Sequence, residues 1–288
     1  MIKGFENLLI KLGKEISEPI IYFCPDFDKI LEIRITANNP VLIITYDKLI
    51  NTEKIVTLSE IRNIFASLCE FSVHAYKNEI CRGFITIEGG IRIGLCGTAL
   101  YDNEKISGIK DVSSLNIRIP HEIFGSSEKI IPFLEHGNIL IVGPPCSGKT
   151  TVLRDVARKY SLNHHTVIID ERGELAGTNH GEVSFDIGNS SVLNNFQKKD
   201  GLEFAVRSMS PELIICDEFG GEEDIRSAIF AIKSGAKIAA SAHAFDKKDF
   251  SDKPFTEKII EHKLFSYFVF MDKNFEIKEI VSAEELLL

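Results

Sequence analysis

Residues 139–150, Ile139-Leu140-Ile141-Val142-Gly143-Pro144-Pro145-Cys146-Ser147-Gly148-Lys149-Thr150, decide the fold. The apolar run Ile139–Val142 reads as a buried strand, and the segment after it matches the phosphate-binding pattern G-x-x-x-x-G-K-[ST]. Glycines let the backbone turn so that N–H groups converge on an anion. The helix expected from Lys149 to about Tyr160 adds its positive N-terminal end. Gly143, Pro144, Pro145, Cys146, Ser147, Gly148, Lys149, Thr150 and Thr151 are the expected contacts of a nucleoside triphosphate. Lys149 would reach the β- and γ-phosphates as a point charge, and the Thr150 hydroxyl would ligate a Mg²⁺ bridging the same oxygens. The ligands the loop implies are a nucleoside triphosphate and Mg²⁺.

Working outward, the 288 residues allow one large domain or two smaller ones, and 44% apolar content suffices for packed cores. The net charge of −9 argues against a nucleic-acid surface, which usually shows as a clustered basic excess. Cys24, Cys69, Cys81, Cys96, Cys146 and Cys216 contain no C-x-x-C pair, so buried free thiols in a reducing cytoplasm are expected. Met1–Glu15 mixes charges with spaced leucines, as an amphipathic helix does and a signal peptide does not. No apolar stretch approaches the ~18 residues that a spanning helix needs, so any membrane role is expected to be peripheral, on the cytoplasmic face.

Residues 27–120 read as mixed α and β. Leu31–Thr36 and Val41–Tyr46 flank Ala-Asn-Asn-Pro as a hairpin, Leu58–Glu70 has helical spacing, and Gly89-Gly90 supplies the turn of a second hairpin within residues 84–94. From Asn138 on, apolar strands at 139–142, 166–170, 213–217 and 237–241 alternate with helical segments, the pattern of a parallel α/β P-loop nucleotide-hydrolase core. Tyr267–Met271 and Glu276–Val281 add a late hairpin at one edge. The expected division is a smaller α+β N-terminal domain, residues 1–125, followed by a nucleotide-binding domain, residues 126–288, with the boundary between Pro120 and Pro132.

A second chemical constellation lies at Leu213-Ile214-Ile215-Cys216-Asp217-Glu218, an apolar strand ending in two carboxylates. The pair resembles a Walker B element, in which Asp217 holds the metal side and Glu218 polarises the attacking water. Adjacent acids at a strand end are common on surfaces, and it is the coupling to the phosphate loop that gives these a chemical meaning. Asp170-Glu171-Arg172-Gly173-Glu174 ends another apolar strand, and in a parallel sheet such ends gather beside the nucleotide, so Glu171 competes with Glu218 for the water. Ser241 and His243 end a further strand, where a polar group could sense the γ-phosphate.

Taken together, Gly-Pro-Pro-Cys-Ser-Gly-Lys-Thr-Thr, Ile-Ile-Asp-Glu-Arg-Gly-Glu-Leu-Ala-Gly, Arg-Ser-Met-Ser-Pro-Glu-Leu-Ile-Ile-Cys-Asp-Glu and Ala-Ser-Ala-His resemble the stage III sporulation protein AA family, which is similar to the ATPases of type II and type IV secretion and of pilus retraction. The likeness extends upstream to residues 95–99 and 113–119. It implies a RecA-like P-loop ATPase core carrying Walker A, an acidic box at Asp170 and Glu171, Walker B at Asp217 and Glu218, and a histidine box at His243. It further implies a hexameric ring with arginines reaching a neighbour's γ-phosphate, for which Arg34, Arg92, Arg118, Arg172 and Arg207 are all candidates. By the same resemblance the partners are integral-membrane proteins of a channel between mother cell and forespore. Cys146 stands where a bulkier polar residue is usual in that family, and its side chain is expected to point away from the phosphates. The leading functional reading is an ATP-hydrolysing secretion-type motor or assembly enzyme. A RecA-like helicase or recombinase is the alternative, and it requires a basic, aromatic-lined groove of which the sequence gives little sign.

Overall fold

The computed structural model describes residues 4–178 and 181–286. Its contacts divide the chain into two compact units, residues 1–121 with 177–184, and residues 122–176 with 185–288. The short segment 177–184 thus groups with the first unit although it lies in the sequence of the second, a discontinuity that hydropathy patterning does not register.

The first unit contains the strands β1 (Ile30–Thr36), β2 (Pro40–Thr45), β3 (Leu49–Ile55), β4 (Phe84–Ile87), β5 (Ile91–Asp102) and β6 (Lys105–Arg118). They form one antiparallel sheet in the order β3-β2-β1-β6-β5-β4. Both expected hairpins are present: β1 pairs with β2 through Ile33 opposite Ile43, and β4 pairs with β5 across Gly89 and Gly90, both at positive φ. Period-two alternation buries Ile33, Ile35, Ile91, Ile93, Leu115 and Ile117 in one core. A bulge between Ile30 and Glu32 shifts the phase of β1 so that Ile30 is buried as well. Helices Phe5–Leu12, Lys14–Phe23 and Leu58–Leu68 contribute Phe5, Leu8, Ile20, Ile61 and Leu68 to the same cluster. The expected single N-terminal helix is broken at Gly13, which takes φ 80 and ψ 157.

The second unit contains β7 (Ile139–Gly143), β8 (Thr166–Asp170), β9 (Ser191–Asn194), β10 (Leu213–Cys216), β11 (Lys237–His243), β12 (Tyr267–Met271) and β13 (Ile277–Ser282). The order is β13-β12-β7-β11-β10-β8-β9, parallel throughout except for β13. Every residue of β7, β8 and β10 is buried, as expected of strands covered on both faces. Strand β9 went unanticipated because Ser-Val-Leu-Asn is short and flanked by polar residues. Because β7, β8, β10 and β11 run the same way, their carboxyl ends share one edge of the sheet.

The helix Leu58–Leu68 starts with a capping box: Thr57 Oγ1 accepts the Glu60 N–H at 3.2 Å, and Glu60 Oε2 accepts the Thr57 N–H at 2.7 Å. Lys54 Nζ also donates to Glu60 at 2.6 Å, and these bonds, the lysine's first, hold the Glu60 carboxyl down at about 2. A carboxyl depressed in the folded state stabilises above its unfolded pKa of about 4.3 and loses that contribution as pH falls through the folded value. Thr57→Ala should therefore cost about 1 kcal/mol in denaturant unfolding. The gap between wild type and Glu60→Gln should close between pH ~4.3 and about 2; a gap that persists below pH 2 contradicts this assignment.

Candidate functional site

Gly143 ends β7 because nothing larger fits. A Cβ there would lie 2.6 Å from Ser147 Oγ and 3.0 Å from the Met271 carbonyl oxygen. The loop closes over Ser147, whose hydroxyl is buried with no hydrogen-bond partner, and Gly148 at φ 88 turns the chain into the helix Lys149–Tyr160. Cys146 also takes a left-handed conformation, φ 59, and is exposed. Lys149 is buried, and its ammonium donates to the Gly143 carbonyl at 3.0 Å and the Pro144 carbonyl at 2.7 Å. Burial pulls its pKa down, against the opposing attraction of Asp217. The loop therefore holds an ordered cation inside its own curve.

A cavity of about 490 Å³ opens in front of this loop. Thr150, Thr151, Asp217, Glu218 and His243 are among the residues that line it. Strand register brings them together: β11 pairs with β7 through His243 opposite Gly143, and with β10 through Ala240 opposite Cys216. Thr150 Oγ1 donates to Asp217 Oδ2 at 2.6 Å. The other oxygen of Asp217 accepts the Ser241 hydroxyl and, at 2.9 Å, the Glu218 N–H. Glu218 sits at φ 50, a left-handed conformation uncommon for a non-glycine residue, and its carboxylate takes a bidentate pair from Arg172 at 2.8 and 2.5 Å. His243 Nε2 lies 3.3 Å from the same carboxylate.

The acidic segment after β8 splits into separate structural roles. Asp170 is buried and accepts three backbone N–H bonds, from Glu174 at 2.9 Å, Leu175 at 3.2 Å and Ala176 at 2.8 Å. Burial raises its pKa despite those donors. Its carboxylate shapes the turn that presents Arg172. Glu171 instead pairs with Lys198 at 2.9 Å, at the start of the helix Lys198–Met209, and it is absent from the described lining of the cavity before the loop. Of the two expected candidates for the water-activating acid, Glu218 is the one facing the loop.

The arginine candidates also separate. Arg34, Arg92 and Arg118 belong to the first unit, and Arg207 pairs with Glu203 at 3.2 Å on its own helix. Arg172 borders the cavity and holds Glu218 of the same chain. Sequence reading missed Arg154, which is buried in the helix after the loop, donates to the carbonyls of Leu175 at 2.9 Å and Glu174 at 2.7 Å, and lies 3.7 Å over the Phe185 ring. Burial holds its guanidinium down at about 10. Flanked by Leu153 and Asp155, Arg154 carries no distinguishing signal in the sequence. Phe275, in the turn after β12, borders the cavity as well and was read only as a hairpin residue.

The donor set suits the expected ligands. A buried, unpartnered hydroxyl, a glycine-only approach and an ordered lysine form an anion cradle, and the hard oxygens of Thr150 and Asp217 are those with which Mg²⁺ is held beside substrate phosphates.

This architecture defines a RecA-like secretion-ATPase fold. The chain is similar to the pilus retraction motor PilT, solved with bound ADP, at 15% identity and a TM-score of 0.59, covering 93% of this chain and 76% of that one. It is also similar to the Yersinia pseudotuberculosis ATPase DotB, at 15% identity and a TM-score of 0.60, covering 90% and 75%. At such identities the likeness speaks for the fold. The model of the family described as "Sporulation stage III, protein AA" matches residues 6–283. "Stage III sporulation protein AA" of Bacillus subtilis (strain 168) is 35% identical over 251 residues, 84% of this chain and 82% of that protein. The chain belongs to the stage III sporulation protein AA family.

Removing the acceptor of three backbone donors leaves each of them without a partner, so Asp170→Ala should cost about 3 kcal/mol or more. It should also expose the peptide bond after Arg172 to trypsin. Unchanged thermal unfolding together with an unchanged tryptic pattern would exclude Asp170 as the organiser of this turn.

Proposed function

We propose that this chain is a Mg²⁺-dependent ATPase that works as a secretion-type motor or assembly enzyme, energising a channel between mother cell and forespore during endospore formation. The observation that carries the reading is one cavity onto which the phosphate loop, Thr150, Asp217 and Glu218 all open, with Thr150 and Asp217 in direct contact. Membership of the sporulation family and a fold shared with a pilus motor supply the biological setting.

In this mechanism the loop N–H groups and Lys149 bind the β- and γ-phosphates. Thr150 and Asp217 would hold Mg²⁺, which would neutralise charge developing on the phosphate oxygens. Glu218 orients a water and takes its proton as the water oxygen attacks the γ-phosphorus and the bond to ADP breaks. His243 and Ser241 stand where the γ-phosphate's presence is read. Arg172 occupies Glu218 through a partly exposed pair worth about 1 kcal/mol or less, weak enough to be exchanged for a phosphate contact. Glu171, tied to Lys198, positions a neighbouring helix. Six copies form a ring on the cytoplasmic face of the membrane, and the cycle moves the N-terminal domain, taken as residues 1–125, against the ATPase domain at residues 126–288. The ring works on integral-membrane partners; among the described residues no helix is long and apolar enough to cross a membrane.

Lys149→Ala should abolish steady-state ATP hydrolysis, and Glu218→Gln should retain ATP binding while slowing single-turnover cleavage by about a hundredfold to ten-thousandfold. Hydrolysis at the wild-type rate by the Lys149 variant would refute the ATPase reading. Stimulation of turnover by DNA in place of a membrane partner would favour the helicase class. Native mass with an ATP analogue should report a ring, and a monomer under every condition removes that part.

Cys146 offers a second check, since it is exposed within the loop. ATP with Mg²⁺ should slow its alkylation, followed peptide by peptide, while exposed Cys96 in the first unit reacts at an unchanged rate. Equal labelling of Cys146 with and without ATP contradicts occupancy of the loop.

A further inference from the structure

The phosphate chemistry leaves one wall of the cavity unused. Phe275 is the only benzene ring among the described residues lining it, and the side chain is 62% exposed. Many exposed aromatic rings on a protein surface have no role, but this one is pinned. A Cβ on Gly148 would lie 3.2 Å from Phe275 Cδ1, so the ring rests against the phosphate loop at the point where the helix begins.

The turn that carries the ring is held from several directions. Asp272 Oδ1 accepts the N–H of Asn274 at 2.8 Å and of Glu276 at 3.0 Å, and Asp272 Oδ2 pairs with Lys278 at 2.8 Å. Phe275 itself adopts φ 65, a conformation that a bulky residue takes only where its surroundings impose it. A strained backbone, a carboxylate-braced turn and a solvent-facing ring therefore coincide beside an anion cradle. A nucleotide has two parts to bind, a charged tail and a flat aromatic base. The loop and the carboxylates meet the first. A ring with an open face suits the second.

We propose that Phe275 is the platform on which the base of a purine nucleoside triphosphate stacks, a reading that rests on nucleotide binding at the phosphate loop. A phenyl ring offers a π-face and no hydrogen-bonding group, so it strengthens the binding of purines generally and does not choose between adenine and guanine. It contributes nothing to a ligand that has phosphates and no base. Glycine at position 148 belongs to the same arrangement, because a side chain there would displace the ring.

The chain contains no tryptophan, which makes Phe275→Trp a single-tryptophan reporter, excited apart from the tyrosines. In the full-length chain its emission should change on addition of ATP with Mg²⁺ or ADP with Mg²⁺, and remain unchanged with inorganic tripolyphosphate. In calorimetric titrations Phe275→Ala should weaken ATP and ADP binding roughly 5- to 150-fold, the span of base–aromatic stacking, while leaving the tripolyphosphate affinity at its wild-type value. Phe275→Leu, which keeps apolar bulk without a π-face, should lose affinity for the nucleotides alone as well. If wild type binds ATP and the alanine variant binds it equally well, or if tripolyphosphate weakens in parallel with ATP, the platform is overturned and the loop assignment stands. If wild type binds neither ATP nor tripolyphosphate, both readings fall together.

Discussion

Parallel pairing of β7 with β11, and of β11 with β10, is the constraint on which the rest of the second unit depends. Register places Gly143 opposite His243 and Cys216 opposite Ala240, so the residues immediately beyond these strands emerge side by side. Thr150 meets Asp217, and Ser241 meets the other oxygen of the same carboxylate, because the sheet leaves them nowhere else to go. A slip of one residue in either ladder would turn every buried side chain of the slipped strand to the opposite face. The all-buried sequences of β7 and β10 would then lose packing fitted on both faces. The geometry of the cavity is thus secured by core packing, with polar contacts completing it.

Two grades of polar interaction meet at that edge. Asp170, with three backbone donors, and Arg154, bound to two backbone carbonyls and a phenyl face, are buried and costly to undo. The Arg172 pair with Glu218 is partly exposed and cheap to exchange. Strong contacts fix the frame around the cavity, and the weak one occupies the residue proposed to handle water. In the proposed cycle this division of strengths would let a bound phosphate draw Arg172 away from Glu218 without loosening the turn that carries Arg172.

Much of this was legible in the sequence, for identifiable reasons. The apolar strands at 139–142, 166–170 and 213–217 are continuous and bounded, and the loop between Gly143 and Thr150 has a spacing that few other structures require. The position of Asp217 and Glu218 beside the loop could be read because a strand end and a phosphate loop of one parallel sheet must share an edge. That Glu171 pairs with Lys198 while Glu218 lines the cavity before the loop was not legible, because periodicity is blind to the direction in which a side chain turns. Arg154 looked like an ordinary helix cation, since nothing in the chain signals the carbonyls of Leu175 and Glu174 arriving from a turn 20 residues away. The break at Gly13 was hidden because the apolar spacing continues across it.

The central claim is that the loop at 143–150 and the carboxylate of Asp217 form two halves of one Mg²⁺–triphosphate site. Crystals grown with Mg²⁺ and a non-hydrolysable ATP analogue test it most directly. The account predicts triphosphate density inside the loop, Lys149 Nζ swung from the Gly143 and Pro144 carbonyls onto phosphate oxygens, and a metal ion separating Thr150 Oγ1 from Asp217. Analogue bound elsewhere, or a loop whose lysine still donates to its own carbonyls while Thr150 and Asp217 remain in direct contact, would contradict it.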